Sequence, residues 1–159
     1  MSKKSERVAK IFVKVRIHGE TYYLFSRKNA PGHKKHDHLE LLGGKIKETE
    51  DVLDGAIREL REEETTHSLR LSRENLKHEV KIDKEKHYIY EISIPGEEYL
   101  KLKRNCKESL SFETVPESRL HKKKFQTELT KMARKILRRW FGRPLQDALR
   151  TAPRKESAP

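Results

Sequence analysis

Gly43-Gly44-Lys45-Ile46-Lys47-Glu48-Thr49-Glu50 leads into Asp51-Val52-Leu53-Asp54-Gly55-Ala56-Ile57 and then into Arg58-Glu59-Leu60-Arg61-Glu62-Glu63-Glu64-Thr65-Thr66. At about 100° per residue, Glu59, Glu62 and Glu63 share one helical face, because i,i+3 and i,i+4 neighbours do. Leu53, Ala56, Ile57 and Leu60 form a separate apolar stripe with the spacing of a core-facing helix, so the pattern predicts a helix from Glu50 to about Glu64. Thr49 can cap it, with Glu50 and Asp51 in the first turn where the helix dipole favours acids. Three carboxylates on one turn repel one another by a few tenths of a kcal/mol per pair. A Glu-rich face is often merely solvated; a bound divalent cation, which takes oxygen ligands and shares them with phosphates, is the functional reading.

The glycines and the spacing favour the second reading. Gly44, five residues, Glu50, seven residues, then Arg58-Glu59-Leu60-Arg61-Glu62-Glu63 resembles the Nudix box, in which Gly, five, Glu, seven, Arg-Glu-aliphatic-any-Glu-Glu-any-Gly-aliphatic is the pattern. Two positions depart: Thr65 stands where the family has Gly, and Thr66 where it has an aliphatic residue. The family glycine ends the helix in a left-handed turn, which costs a threonine about 1–2 kcal/mol to copy. A different helix end is therefore expected, with no metal ligand lost.

The resemblance implies an α/β fold of the α+β type, an α/β/α sandwich around a mixed β-sheet. It also implies Mg²⁺-dependent hydrolysis of a diphosphate linkage, with Mn²⁺ as a substitute. On its terms Glu59, Glu62 and Glu63 are metal ligands, joined by the carbonyl of Gly43. Glu62, then Glu59, is the candidate base that deprotonates water, and Arg58 is the arginine that orients a box carboxylate. Glu50, Gly44, Lys45 and Arg27 are supporting or substrate-binding residues. Relatives often recruit one more carboxylate from outside the box; Glu108, Glu113 and Glu97 are available here, and Glu108 is preferred because it precedes a strand at Leu110.

Length and composition bound the rest. The 159 residues suit one domain, expected over residues 1–148, with 149–159 as a disordered basic tail. The chain is 33% hydrophobic and 39% charged, so its core must be economical. No run of about 18 apolar residues is present, which gives no membrane span. Met1-Ser2-Lys3-Lys4 is not followed by an apolar signal region, and Cys106 is the single cysteine. Both fit a cytoplasmic protein without disulfides, with Cys106 a buried or incidental thiol.

The net charge of +12 is uneven. Residues 121–159 hold twelve Lys/Arg against three Asp/Glu, whereas residues 44–66 hold four against eight. An acidic metal patch on a basic protein suits a polyphosphate anion. The same basicity fits RNA contact. The expected partners are a nucleotide-diphosphate substrate, RNA through a basic C-terminal helix, and a second copy of the chain in a homodimer.

Alternation predicts strands over Val8–Ile17 and Thr21–Arg27 with a turn at His18-Gly19-Glu20, the first half-buried with Lys10, Lys14 and Arg16 outward. Leu39–Leu42 is a short strand delivering Gly43-Gly44. The loop before it carries His33, His36 and His38 around Pro31-Gly32; with no cysteine partners and irregular spacing, a phosphate-facing role beside Lys34 and Lys35 fits better than zinc. Downstream, a brief strand at Leu69–Leu71, a hairpin of Lys77–Ile82 and His87–Ile94, a strand at Leu110–Val115 and a helix over Lys123–Phe141 complete the pattern.

The function expected is a pyrophosphohydrolase acting on a nucleoside diphosphate linked to another moiety: a nucleotide sugar, a dinucleotide or a nucleoside triphosphate. One alternative is an RNA 5′-end pyrophosphohydrolase or decapping enzyme. Another, of a different class, is a non-catalytic nucleotide- or RNA-binding module.

Overall fold

A computed structural model describes residues 6–34 and 36–139. The expected tail over 149–159, the domain end at residue 148 and the end of the basic helix at Phe141 lie outside the described residues.

The long apolar strand β1 (Glu6–Ile17) is the axis of the sheet. It turns through His18 and Gly19, both at positive φ as a type I′ turn requires, into β2 (Glu20–Lys28). Two short strands follow, β3 (Leu39–Glu40) and β4 (Leu42–Ile46), and then the helix α1 (Val52–Glu63). β5 (Leu76–Ile82) and β6 (Glu85–Pro95) form a hairpin over Asp83 and Lys84, again both at positive φ. The short helix α2 (Gly96–Leu100), β7 (Ser109–Pro116) and α3 (Lys123–Gln126) come next, and a final helix, α4, occupies 131–139.

The sheet is mixed and seven-stranded, in the order β3-β2-β1-β6-β5, with β7 on β2 and β4 on β1. One edge of β1 runs parallel to β6 from Glu6 to Arg16. The other edge is shared: β4 pairs antiparallel with Arg7–Ile11, and β2 with Lys14–Ile17. Lys10 lies opposite Gly43 in this register, which brings the glycine pair onto the central strand.

Apolar clusters cover both faces. Ala9, Ile11, Val13 and Val15 pack with Ala56 and Leu60 of α1. Phe12, Tyr23, Phe25 and Ile89 pack with Phe125, Ala133, Ile136 and Leu137 of the C-terminal helices. The result is the expected α/β/α sandwich around a mixed sheet.

Several expectations change. β1 is covered on both faces, so Lys10 is not outward: it is 7% exposed and pairs at 3.3 Å with Glu40, itself 4% exposed. The basic helix is two helices, because Leu39 N donates to Glu128 O and Thr130 N donates to Leu39 O, which docks the intervening chain onto β3. Thr130 Oγ accepts from Ala133 N and donates to Glu40, so it starts α4 and satisfies the buried acid together. Leu69–Leu71 is irregular, although Leu69 is buried against the α1 face. Cys106 is exposed.

Candidate active site

The site is built where the glycine pair meets the last two turns of α1. Gly43 has φ +127°, and a Cβ there would lie 2.0 Å from Ala9 O on β1. Only glycine permits that approach. Its N–H donates to Glu63 Oε1 at 2.6 Å. At Gly44 a Cβ would stand 2.3 Å from Glu59 Oε2, so the missing side chain is the space the Glu59 carboxylate fills. Gly55 serves packing: its Cβ would meet Ile46 of β4 at 2.8 Å.

Asp51, rather than Thr49, caps α1, accepting from Leu53 N at 3.2 Å. Glu50 lies just ahead of the helix, where it accepts from Lys47 N at 2.9 Å and from Arg58 Nε and Nη2 at 2.8 and 3.0 Å. Arg58 also donates through Nη1 to Glu59 and Glu62, each at 3.0 Å, and through Nη2 to Lys45 O at 3.0 Å. One guanidinium thus gathers three carboxylates and ties the glycine strand to the helix. Its bonds, with that of Lys47 N, bring the Glu50 carboxyl down to about 2.

Glu63 is 3% exposed, and burial pushes its carboxyl up to about 7 against the pull of Lys28, Gly43 N–H and Lys10. Its Oε2 is buried with no hydrogen-bond partner. Glu59 is pushed up by burial and then by Glu62, with Arg58 opposing. The Glu62 side chain is 47% exposed and stands beside an open groove of about 400 Å³ lined also by Asp54, Ile57, Arg58 and Arg61.

The helix ends without a left-handed residue at Thr65. Glu64, 1% exposed, turns extended and accepts from Thr66 and from Lys103 N, while Thr65 N donates to Lys103 O. Positive φ is deferred to His67. This carboxylate anchor ends the helix where the pattern that the stretch resembles has a glycine. It also docks the segment that follows: Asn105 donates through its amide to Glu62 O and through its backbone N to Glu63 O.

That turn then reaches β2, where Asn29 N donates to Glu108 O at 3.2 Å and a bulge separates Arg27 from Lys28. Glu108 is close enough to help raise the Glu59 carboxyl, and Lys28 is the strongest attractive charge on Glu63.

The other expected residues fall elsewhere. Glu113 is held by Arg27 at 2.6 and 2.9 Å. Glu97, in α2, lies at the Ile17 end of β1, seven residues or about 23 Å of strand from the Lys10–Gly43 level. Arg27 also bonds Glu128 and Asp37 O, which makes it a clasp between β2, β7 and the chain before α4. Lys45 is exposed and pairs with Glu6 at 3.1 Å. In the histidine loop, His36 Nδ1 accepts from Ala30 N and His38 Nδ1 lies 3.1 Å from His36 O.

Sequence reasoning passed over Arg7, whose Nη2 donates to Lys47 O, Glu48 O and Glu50 O and so shapes the loop into α1. It also passed over Lys10, Lys28 and Asn105. These contacts join segments dozens of residues apart, and no local pattern signals them.

No three His, Cys, Asp or Glu side chains converge as a ready-made cation cage among the described residues, and Glu59 and Glu62 each spend one oxygen on Arg58. The donor set nonetheless suits a hard cation. It is all oxygen, and the unpartnered Glu63 Oε2 is an acceptor without a donor.

No family model and no curated protein matches the sequence. Solved structures do. The NUDIX domain of Shewanella oneidensis NrtR, crystallised with ADP ribose, superposes with a TM-score of 0.63 at 14% identity, over 90% of each chain. The MutT protein of Methanosarcina mazei gives 0.58 at 17%, over 91% of this chain and 99% of that one. A MutT/nudix family protein of Enterococcus faecalis gives 0.55 at 17%, over 73% of this chain; the chain spans only 45% of that protein's length. The chain has the Nudix fold.

Proposed function

We propose that this protein is a divalent-cation-dependent pyrophosphohydrolase that cleaves the diphosphate linkage of a nucleoside diphosphate joined to another moiety. The observation that carries this is the Arg58 clamp, which holds Glu50, Glu59 and Glu62 beside the buried Glu63 and against the Gly43–Gly44 backbone. When bound, Mg²⁺, or Mn²⁺ in its place, would neutralise the diphosphate oxygens and ease the deprotonation of an attacking water. Glu59, Glu62, Glu63 and the Gly43 carbonyl would hold it, with Glu108, whose charge helps raise the Glu59 carboxyl, as a further candidate ligand. Glu62, the most exposed of the three helix acids, takes the proton from water as it attacks phosphorus; the anhydride P–O bond breaks and the other phosphate leaves with the bridging oxygen, so a nucleotide sugar or dinucleotide gives two phosphate monoesters and a nucleoside triphosphate gives a monoester and pyrophosphate. Glu59 is second choice as base. Lys28 makes no ion pair among the described residues and is the strongest attractive charge on Glu63, so it suits a substrate phosphate.

ADP ribose in the Shewanella domain supports a substrate of nucleotide-diphosphate type. The test is turnover of nucleotide sugars, dinucleoside polyphosphates, ADP-ribose, nucleoside triphosphates and capped RNA with Mg²⁺. The expected result is cleavage of at least one, abolished by chelation and in Glu62→Gln. A second reading, a non-catalytic nucleotide-binding module, is favoured by the engagement of Glu59 and Glu62 with Arg58. Tight nucleotide binding with no turnover of any compound would select it.

A further inference from the structure

On the face of the sheet opposite α1 lies a second charged feature that the hydrolytic site does not use. Helix α4 buries Ala133, Ile136 and Leu137 and turns Lys131, Arg138 and Arg139 outward, with Lys135 half-buried beside them. Lys135, Arg138 and Arg139 line a groove of about 290 Å³ whose other wall is Lys81, Ile82 and Asp83. Lys81 and Ile82 end β5, the last strand on its side of the sheet, and Asp83 lies in the turn from β5 to β6.

The groove holds one carboxylate, Asp83, and Lys135 already pairs with it. Lys135, and more weakly Lys131, hold the Asp83 carboxyl below its ordinary range, which places Lys131 near the same acid. Lys81, Arg138 and Arg139 are exposed and make no ion pair among the described residues.

With Lys135 engaged by Asp83, the cations left over on α4 are Lys131 at one end and Arg138 and Arg139 at the other, about 12 Å apart along the helix, so free positive charge is spread along the groove as phosphates are spread along a strand. Guanidinium groups match phosphate oxygens in paired geometry. Among the described lining residues Ile82 alone is apolar, and it is 6% exposed, so these residues offer neither a pocket for a protein partner's aromatic anchor nor a side chain to insert among lipids. The net charge of +12 adds long-range attraction for a polyanion.

We infer that the groove between α4 and the β5–β6 hairpin binds the phosphodiester backbone of a single-stranded nucleic acid, through Lys81, Lys131, Arg138 and Arg139. The contacts named are all to phosphate, which carries no sequence information, so binding through these described residues is independent of base sequence. The inference stands whether or not the acidic helix hydrolyses a diphosphate.

The test is fluorescence anisotropy of labelled single-stranded RNA and DNA of the same sequence, with the full chain, from about 50 to 200 mM KCl. Four cations on a single strand predict log K falling against log salt with a slope of about −2.8. Lys81→Glu with Arg138→Glu should lower affinity at least tenfold and reduce the slope by about 1.4. Lys81→Gln with Arg138→Gln should give the same slope change with less repulsion, and unchanged melting curves verify folding. Equal affinity for RNA and DNA supports recognition of the backbone alone; preference for RNA supports it with an added contact to the 2′-hydroxyl. The inference is overturned if both double variants bind like wild type. It is equally overturned if binding is lost only when Arg143, Arg150, Arg154 and Lys155 are changed to Gln, or if phosphatidylserine vesicles compete as well as RNA does.

Discussion

Gly43 and Gly44 are adjacent, yet alanine at the two positions should fail in opposite ways. At Gly43 the added Cβ would meet backbone, 2.0 Å from Ala9 O and 2.8 Å from Ala9 C, at φ +127°. Nothing there can rotate aside, so β4 must separate from β1. The conformation alone costs about 1–3 kcal/mol for a non-glycine residue, and loss of the strand pairing takes the total beyond about 3 kcal/mol. At Gly44 the obstacle is the Glu59 carboxylate, at 2.3 Å, the free end of a side chain that can swing away. Swinging forfeits the bond from Arg58, worth about 1 kcal/mol, and the lost chain entropy of glycine returns about half of that.

Gly44→Ala should therefore melt within a few degrees of wild type. Displacing a catalytic acid by about 1 Å costs on the order of 10²-fold in rate, so its turnover should fall about that far. Gly43→Ala should melt far lower or fail to accumulate folded. The assays are thermal denaturation and turnover of the best substrate at saturating Mg²⁺. Near-normal turnover in Gly44→Ala, where Glu59→Gln is inactive, would refute the proposed placement of Glu59; a normal melting temperature in Gly43→Ala would refute the close approach to Ala9.

Other outcomes follow from buried charges. Glu63 has a folded pKa of about 7 against about 4.3 in an unfolded chain, so the folded state binds the extra proton between those values. Stability of the metal-free protein should then be greatest below about pH 4.3 as far as this group is concerned, and fall as pH rises through 7, by up to about 4 kcal/mol. Urea melts in EDTA across that window should show the slope, and Glu63→Gln should remove it; Mg²⁺ affinity should rise over the same window because the ligand must lose its proton. For the Lys10–Glu40 pair, removing one partner by Lys10→Met should cost about 3–5 kcal/mol, since Glu40 is left buried. Lys10→Met with Glu40→Gln should recover part of that in the same denaturation experiment.

The candidate site was more legible in the sequence than its surroundings, for a physical reason. Glu59, Glu62 and Glu63 share a face through helical spacing alone, and the glycines precede them on the same stretch. The N-cap was displaced by two residues because Thr49 and Asp51 are both capable caps; Glu50, drawn into the Arg58 clamp and onto Lys47 N, leaves Asp51 to cap the helix. Lys10 looked outward because alternation cannot distinguish a strand with one covered face from one with two. Its partner Glu40 and the helix start at Thr130 come from segments 30 and 120 residues away. The break in the basic helix has the same origin: Leu129 is in register for one continuous apolar stripe, but its backbone pairs with Leu39. At Thr65 the sequence marked a changed helix end, while the device that replaces it, Glu64 bound to Lys103 N, depends on a distant segment.

The most direct test is product analysis of the diphosphate panel with wild-type protein and Glu62→Gln, each with Mg²⁺ and with EDTA. Hydrolysis of at least one compound by wild type with Mg²⁺, at a rate reduced on the order of 10²-fold or more in Glu62→Gln and absent in EDTA, is the expected result. Turnover that survives both EDTA and Glu62→Gln, or none from wild type toward any compound, would contradict it.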